Sequence, residues 1–234
     1  NHDIAQLNNL CLNEGDFKVL INDKKSVENT GLNIPETKNS LLNSQRMYLK
    51  LLEAFEAMGK DGDDESIYTD EIDLFVPTTD FKGVIIPMRL LDNVVEEKKH
   101  GQVFRFRYEK GKADGNDFKN NNPMLAFAAR STSSFPFAFE PMRLSQAYSV
   151  IEEGFEDFED KNANLKQNSE KYFPKIIKKD CKPIDWTERD LVDGGVLDNK
   201  PFGYAIDVLS ARRNDFLCVR ELLFVEPSRE SFSG

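Results

Sequence analysis

Residues 191–201 read LVDGGVLDNKP. The apolar pair Leu191 and Val192 predicts a short buried strand, and Asp193 leads from that strand into a double-glycine turn. Pro201 predicts the first turn of a helix that we expect to run to about Arg212. Asp193 is therefore expected at the end of a strand, where a catalytic base would sit.

Helices and strands alternate along the rest of the chain. Apolar periodicity and capping residues predict helices over residues 1–20, 44–59 and 122–130. Extended segments are predicted at 72–76, 84–91, 103–108 and 217–225, with a loop at 22–39. This order favours an α/β fold in which a sheet is packed between helices. Residues 152–179 are rich in charged and amide side chains, which indicates a mobile insertion.

Composition limits the classes of function. The 234 residues, 39% of them hydrophobic, are enough for one globular domain or most of a larger one. A net charge of -10 disfavours nucleic acid as a partner. The three cysteines lie far apart and show no zinc-binding spacing, so we expect no metal, no cofactor and a reducing, cytoplasmic location. Peripheral contact with a membrane is compatible with this location.

Four further features of the sequence are the segments Leu41-Leu42-Asn43-Ser44-Gln45-Arg46-Met47, Asp73-Leu74-Phe75-Val76-Pro77-Thr78-Thr79-Asp80, Asn122-Pro123 through Arg130-Ser131-Thr132-Ser133-Ser134-Phe135-Pro136-Phe137-Ala138-Phe139-Glu140-Pro141, and Asp193-Gly194-Gly195 through Asn199-Lys200-Pro201. In this order the four segments resemble bacterial patatin-like phospholipases, lipid acyl hydrolases that use a serine and aspartate pair. The last two motifs are the more specific ones. The resemblance implies a patatin-like α/β domain.

By this resemblance Asp193 is the general base of the pair, and Gly194 and Gly195 form the active-site turn. The chain itself contains only His2 and His100, and His100 is expected in a charged Lys-Lys-His-Gly turn, so a Ser-His-Asp triad is disfavoured. The family's glycine-rich oxyanion loop and serine elbow match nothing in residues 1–234. We therefore interpret the whole chain as the C-terminal portion of a catalytic domain whose nucleophile-bearing central strands lie elsewhere.

Several further residues are candidates for the pocket or its support. They are Thr79, Asp80, Arg130, Ser133, Ser134, Phe135, Pro136 and Asn199. For Asp80 a cap or turn role is favoured, for Arg130 a structural role, and for Ser133 and Ser134 backbone bonds at a helix end. The aromatic segment 135–139 fits either an acyl-chain pocket or core packing.

The sequence leaves three functions open. The first is a phospholipase A type hydrolase acting on a phospholipid or other acyl lipid, with the missing N-terminal segment of the catalytic domain supplying the serine. The second is a non-catalytic patatin-like module that binds lipid or protein. The third is a calcium-binding domain, since residues 61–65 and 114–117 are acidic and glycine-containing; however, neither has the spacing of an EF-hand, and solvated loops are favoured.

Overall fold

The computed structural model describes residues 8, 10–33, 39–60, 69–89, 93–112, 116–173, 183–212 and 219–225. The chain divides into two compact units, Asn1–Asn199 and Lys200–Gly234. In the first unit, helices pack against an antiparallel sheet of three strands. The expected α/β composition is thus present, with antiparallel pairing.

The start of the described chain is broken into short turns. A π-helical turn at Leu10–Glu14 is followed by helix α1 (Phe17–Leu20) and a 3-10 turn at Lys24–Val27. Asp16 is extended and accepts a hydrogen bond from the Lys18 amide at 2.9 Å, so it starts a new helix. The expectation of one helix up to Leu20 is therefore wrong. Residues 1–7, 9 and 34–38 lie outside the described part.

Helix α2 (Ser44–Lys60) confirms the strongest helical prediction. Tyr48, Leu49 and Leu52 recur at helical spacing and are fully buried. The helix is capped by Asn43, whose Oδ1 accepts the Arg46 amide at 2.9 Å. Ser44, the expected cap, is already in the first turn.

The sheet is built mainly from two long strands. β1 (Glu71–Arg89) and β2 (Val94–Glu109) form an antiparallel hairpin whose register shifts between Thr79 and Val84. The segments predicted as separate strands at 72–76 and 84–91 are therefore parts of one strand, with residues 90–91 outside the described part. The short strand β3 (Leu191–Asp193) pairs with Thr78–Asp80 on the other side of β1.

The outer edge of β3 is already occupied. Leu191 exchanges two backbone hydrogen bonds with Met142, at 2.7 and 3.0 Å, and the Asp193 amide donates to the Ser134 carbonyl oxygen at 3.1 Å. In the described residues no long apolar edge is open beside β3, because β3 is three residues long and its outward amides are bonded.

Three more helices complete the first unit: α3 (Asn122–Thr132), α4 (Leu144–Gly154) and α5 (Phe158–Tyr172). The start of α3 matches its prediction, but the structure assigns Asn121 to the cap position and shows no capping bond from its side chain. Residues 152–154 and 158–172 of the proposed mobile insertion lie in α4 and α5, and Leu165 is fully buried. Residues 174–179 are outside the described part.

The sheet has one apolar and one mostly polar face. Side chains alternate along a strand, so Phe104 and Phe106 lie on the face that packs against the helices in the hydrophobic core. Arg105 and Arg107, on the opposite face, form ion pairs with Asp73 and Glu109. Thr78 pairs with Asp193 and Thr79 with Val192. Asp193 therefore lies on the core face and Val192 on the opposite face.

The second unit contains helix α6 (Phe202–Ala211), close to the prediction that begins at Pro201. Residues 219–225 have no regular secondary structure, and Val219 and Leu223 are each 87% exposed. The prediction of a buried closing strand at 217–225 is wrong for these residues. Phe224 contacts the Phe202 ring with centroids 4.8 Å apart.

Candidate active site

Asp193 ends β3 and caps the 3-10 turn Gly194–Val196. Its Oδ1 accepts a hydrogen bond from the Gly195 amide at 2.7 Å. Its Oδ2 makes no hydrogen bond to any residue that the structure describes. The side chain is half-buried. One carboxylate oxygen is thus anchored, and the other is available to a further donor.

Gly194 holds the turn against β1. A Cβ at this position would lie 2.2 Å from the Pro77 carbonyl oxygen, which is closer than real Cβ contacts allow. The Gly194 carbonyl oxygen accepts the amides of Leu197 and Asp198. At Gly195 a Cβ would meet Asn199 Oδ1 at 3.0 Å, so Asn199 folds back over the turn. Close packing against backbone therefore requires glycine at position 194, whereas at position 195 an added Cβ would meet only side-chain atoms.

Arg130 is fully buried and links three segments near Asp193. It donates to Ser134 Oγ at 2.9 Å and to Ser44 Oγ at 2.8 Å, and its guanidinium lies 4.1 Å from the Phe139 ring centroid. Burial lowers the pKa of this guanidinium to about 9, and the charge of Glu140 opposes that shift. The role that these contacts indicate is structural, as the sequence favoured.

Ser133 and Ser134 bond to the backbone at the end of α3. Each hydroxyl donates to the Arg130 carbonyl oxygen at 3.0 Å. The Ser134 carbonyl oxygen in turn accepts the Asp193 amide. The structure thus brings together the two most specific motifs of the sequence, the one that contains Ser134 and the one that begins at Asp193. The Ser134 hydroxyl also accepts a hydrogen bond from the Arg130 guanidinium.

Asp80 is 2% exposed and forms an ion pair with Arg189. Its Oδ1 also accepts the Lys82 amide at 3.0 Å. Arg189 donates as well to the Gly83 carbonyl oxygen at 2.6 Å. These contacts hold the register shift of β1, in agreement with a turn role for Asp80.

A cavity of about 730 Å³ opens beside β3 and the register shift of β1. Its walls are Asn39, Thr79, Phe81, His100, Pro136, Phe137, Phe139, Glu140, Pro141, Arg143, Asp190, Val192, Val196 and Leu197. Thr79 is 5% exposed, and its Oγ1 has no hydrogen-bond partner among the described residues. The cavity wall thus includes a residue whose hydroxyl is buried and unpartnered within the described part of the chain.

The segment Phe135–Phe139 contributes to the mouth of this cavity. Phe135 is 63% exposed, and Phe137 is 94% exposed with φ +72°, a left-handed conformation that is uncommon for a bulky residue. Pro136, Phe137 and Phe139 line the cavity. Val192 lines the cavity and Asp193 does not, because the side chains of these consecutive residues of β3 point to opposite faces of the sheet.

His100 lies at the candidate site although the sequence did not single it out as a site residue. It lies on β2, not in a charged turn, and it lines the cavity. Its Nδ1 is 2.8 Å from the Asp80 carbonyl oxygen, which only accepts hydrogen bonds, so Nδ1 carries the proton. The ring covers Gly83, where φ is +64° and a Cβ would be 2.7 Å from His100 Cε1. The sequence signal available for this contact was Gly83, a glycine shortly after Thr79 and Asp80 that permits the left-handed backbone under the His100 ring.

The acidic segments hold no described metal site. Asp117 accepts the Arg107 amide at 2.9 Å and forms an ion pair with Lys171. Residues 61–65, 114 and 115 are outside the described part. Over the described ranges no three histidine, cysteine or acidic side chains cluster as metal ligands would.

The chain was compared with known proteins by sequence and by structure. No protein-family model, curated protein or solved structure matches it. Among the described helices none combines the length and apolar character that crossing a membrane requires.

Proposed function

We propose that the chain supplies the general base of a patatin-like acyl ester hydrolase of the phospholipase A type, with Asp193 as the base. The observation that carries the proposal is the carboxylate itself, since Gly195 anchors Oδ1 and leaves Oδ2 available. A base in a serine and aspartate pair must accept the hydroxyl proton directly, without an intervening histidine. The nucleophilic serine would come from polypeptide outside residues 1–234.

The surroundings of Asp193 support this role. Its amide is fixed by Ser134, its turn is held against Pro77 by Gly194, and the buried Arg130 supports Ser134. A base whose backbone and one oxygen are held in place loses little freedom when a substrate and nucleophile arrive.

The test uses the complete protein, with its upstream polypeptide. Asp193→Asn retains an oxygen for the Gly195 amide but cannot take a proton, so turnover should fall by about 10²- to 10⁴-fold with the fold intact. Asp198→Asn is the matched control, because Asp198 is exposed on the same turn. A fluorophosphonate probe should label the complete protein outside residues 1–234. Full activity of the Asp193→Asn protein would refute the assignment.

A second candidate is a non-catalytic module that binds a neutral lipid or similar amphipathic ligand in the 730 Å³ cavity. It is favoured by the unpartnered Thr79 hydroxyl in the cavity wall, by the apolar side chains of Val192 and Leu197, and by a lining that does not include Asp193. Binding of a fluorescent fatty-acyl probe to the 234-residue chain would then weaken about 2- to 10-fold in Thr79→Val and persist in Thr79→Ser. Asp193→Asn should leave this binding unchanged, which separates the two candidates.

A further inference from the structure

The far half of the hairpin forms a two-stranded arm. This β-arm comprises Val84–Arg89 of β1 and Val94–Lys99 of β2, paired from Val84 opposite Lys99 to Arg89 opposite Val94. β3 pairs only with Thr78–Asp80, so in the described part of the chain no third strand extends along the β-arm.

The β-arm is exposed to an unusual degree for a ribbon that carries apolar residues. Every residue of β2 from Val94 to Lys99 is exposed, and Val94, Ile85 and Val95 are 64%, 54% and 44% exposed. A two-stranded ribbon is only marginally stable in water, and an open strand edge is a template for another strand. These properties favour pairing of the β-arm with a further strand.

The backbone of β2 presents the groups that such pairing needs. At Arg107 the amide and the carbonyl both bond to Asp117, so they point away from β1. Peptide groups alternate in direction along a strand. Continuing this alternation along β2, the peptide groups of Gly101, Lys99, Glu97 and Val95 point to the same outer edge.

We propose that the β-arm pairs with the β-arm of a second copy of this chain, β2 against β2 and antiparallel, about a two-fold axis at Lys98. A two-fold axis in an antiparallel pair places one residue opposite itself and its neighbours symmetrically around it. With Lys98 at the centre, Glu97 of each copy lies opposite Lys99 of the other. Val95 of each copy likewise lies opposite Gly101 of the other.

Charge and shape both favour this register. The two Glu97 and Lys99 pairs are opposite in charge and adjacent on one face, at the cost of a single pair of like charges at Lys98. A Cβ at Gly101 would have nothing within 4 Å, so there is room for Val95 of the second copy. Centring on Glu97 would instead place Glu97 opposite itself and Val95 opposite Lys99.

Charges on an edge strand usually prevent pairing. In β2 Glu97 comes before Lys98 and Lys99. Because the second copy runs in the opposite direction, its basic residues lie beside the acidic residue of the first copy. The same charges therefore disfavour a parallel partner or one with a shifted register and favour an antiparallel copy. This inference does not depend on the proposed hydrolase activity.

Sedimentation velocity of the 234-residue chain tests the proposal up to roughly 100 µM. The wild-type chain should show a concentration-dependent dimer. Glu97→Lys and Lys99→Glu should each weaken it about tenfold, because each creates two like-charge pairs. The double variant Glu97→Lys with Lys99→Glu should restore it.

Lys98→Glu is the control for the register. It exchanges one like-charge pair for another at the axis, so the dimer should keep its wild-type strength. All three positions are exposed, and circular dichroism should show each of the four variants folded. A chain that stays monomeric, a dimer that ignores both single variants, or a double variant that fails to restore pairing would overturn the proposal.

Discussion

The amide of Asp193 donates to the carbonyl oxygen of Ser134 at 3.1 Å. This bond joins the end of β3 to the second residue after α3, and the Ser134 hydroxyl in turn accepts a hydrogen bond from Arg130. The candidate base is therefore attached to a buried guanidinium through one residue. Substitutions at Arg130, Gly194 or Asp193 should therefore all affect the Gly194–Val196 turn.

Gly194→Ala should lower the free energy of unfolding by about 1–3 kcal/mol. The added Cβ would lie 2.2 Å from the Pro77 carbonyl oxygen, and backbone must move to accommodate it. Gly203→Ala is the matched control, because nothing lies within 4 Å of the Cβ position in α6. Urea unfolding of the 234-residue chain measures both. Equal stability of the two variants would contradict the close approach.

Asp193→Ala should cost about 1 kcal/mol of stability, whereas Asp193→Asn should cost little. The alanine variant loses the acceptor for the Gly195 amide, and asparagine retains one. Thermal unfolding of the chain separates this capping role from catalysis. If both variants unfolded alike at the wild-type temperature, the capping bond would be absent.

Arg130→Lys should destabilise the chain by about 2 kcal/mol or more. An ammonium group cannot satisfy the Ser44 and Ser134 hydroxyls with the geometry of the guanidinium fork, and it would be buried. Arg105→Lys is the comparison, because the Arg105 side chain is 50% exposed and its ion pair with Asp73 should tolerate the change within about 1 kcal/mol. Denaturant midpoints should reveal the difference.

Asp80→Asn should cost about 3–5 kcal/mol, because it leaves the Arg189 charge without its buried partner. Glu53→Gln, which breaks an exposed pair with Lys50, should change stability by less than about 1 kcal/mol. Differential scanning calorimetry of the two variants measures both losses of stability. Similar small losses in both would mean that the Asp80 pair is dispensable.

His100 should be the Nδ1-protonated tautomer when neutral, since the Asp80 carbonyl oxygen accepts from Nδ1. Nitrogen-15 NMR at alkaline pH reports the tautomer directly. The chain has only two histidines, so His100→Gln assigns the signal by its loss. An Nε2-protonated ring would show that the contact with Asp80 is not formed.

Local features were predictable from sequence, and those that need strand register were not. Tyr48, Leu49 and Leu52 repeat at helical spacing within one segment, so α2 could be predicted. The turn at Asp193 follows from two consecutive glycines. The placement of Thr79 and His100 in one cavity depends on how β1, β2 and β3 align, and the register shift after Thr79 is set by Asp80 and Arg189, which are distant in sequence.

The wrong predictions share a cause. Residues 219–225 are apolar enough for a strand, but apolar character does not reveal whether a neighbouring strand exists to bond with. At Asp16 a side-chain bond to the backbone competes with the preceding turn. Both outcomes depend on alternative partners for the backbone, which periodicity does not report.

The occupied outer edge of β3 restricts how a nucleophile could arrive. Another strand cannot be added beside Leu191 and Asp193 unless Met142 and Ser134 release their bonds. A hydroxyl that meets Asp193 Oδ2 would therefore be delivered side-on, from a turn or the first residues of a helix. The approach would be made by a side chain crossing a gap, with the sheet left unchanged.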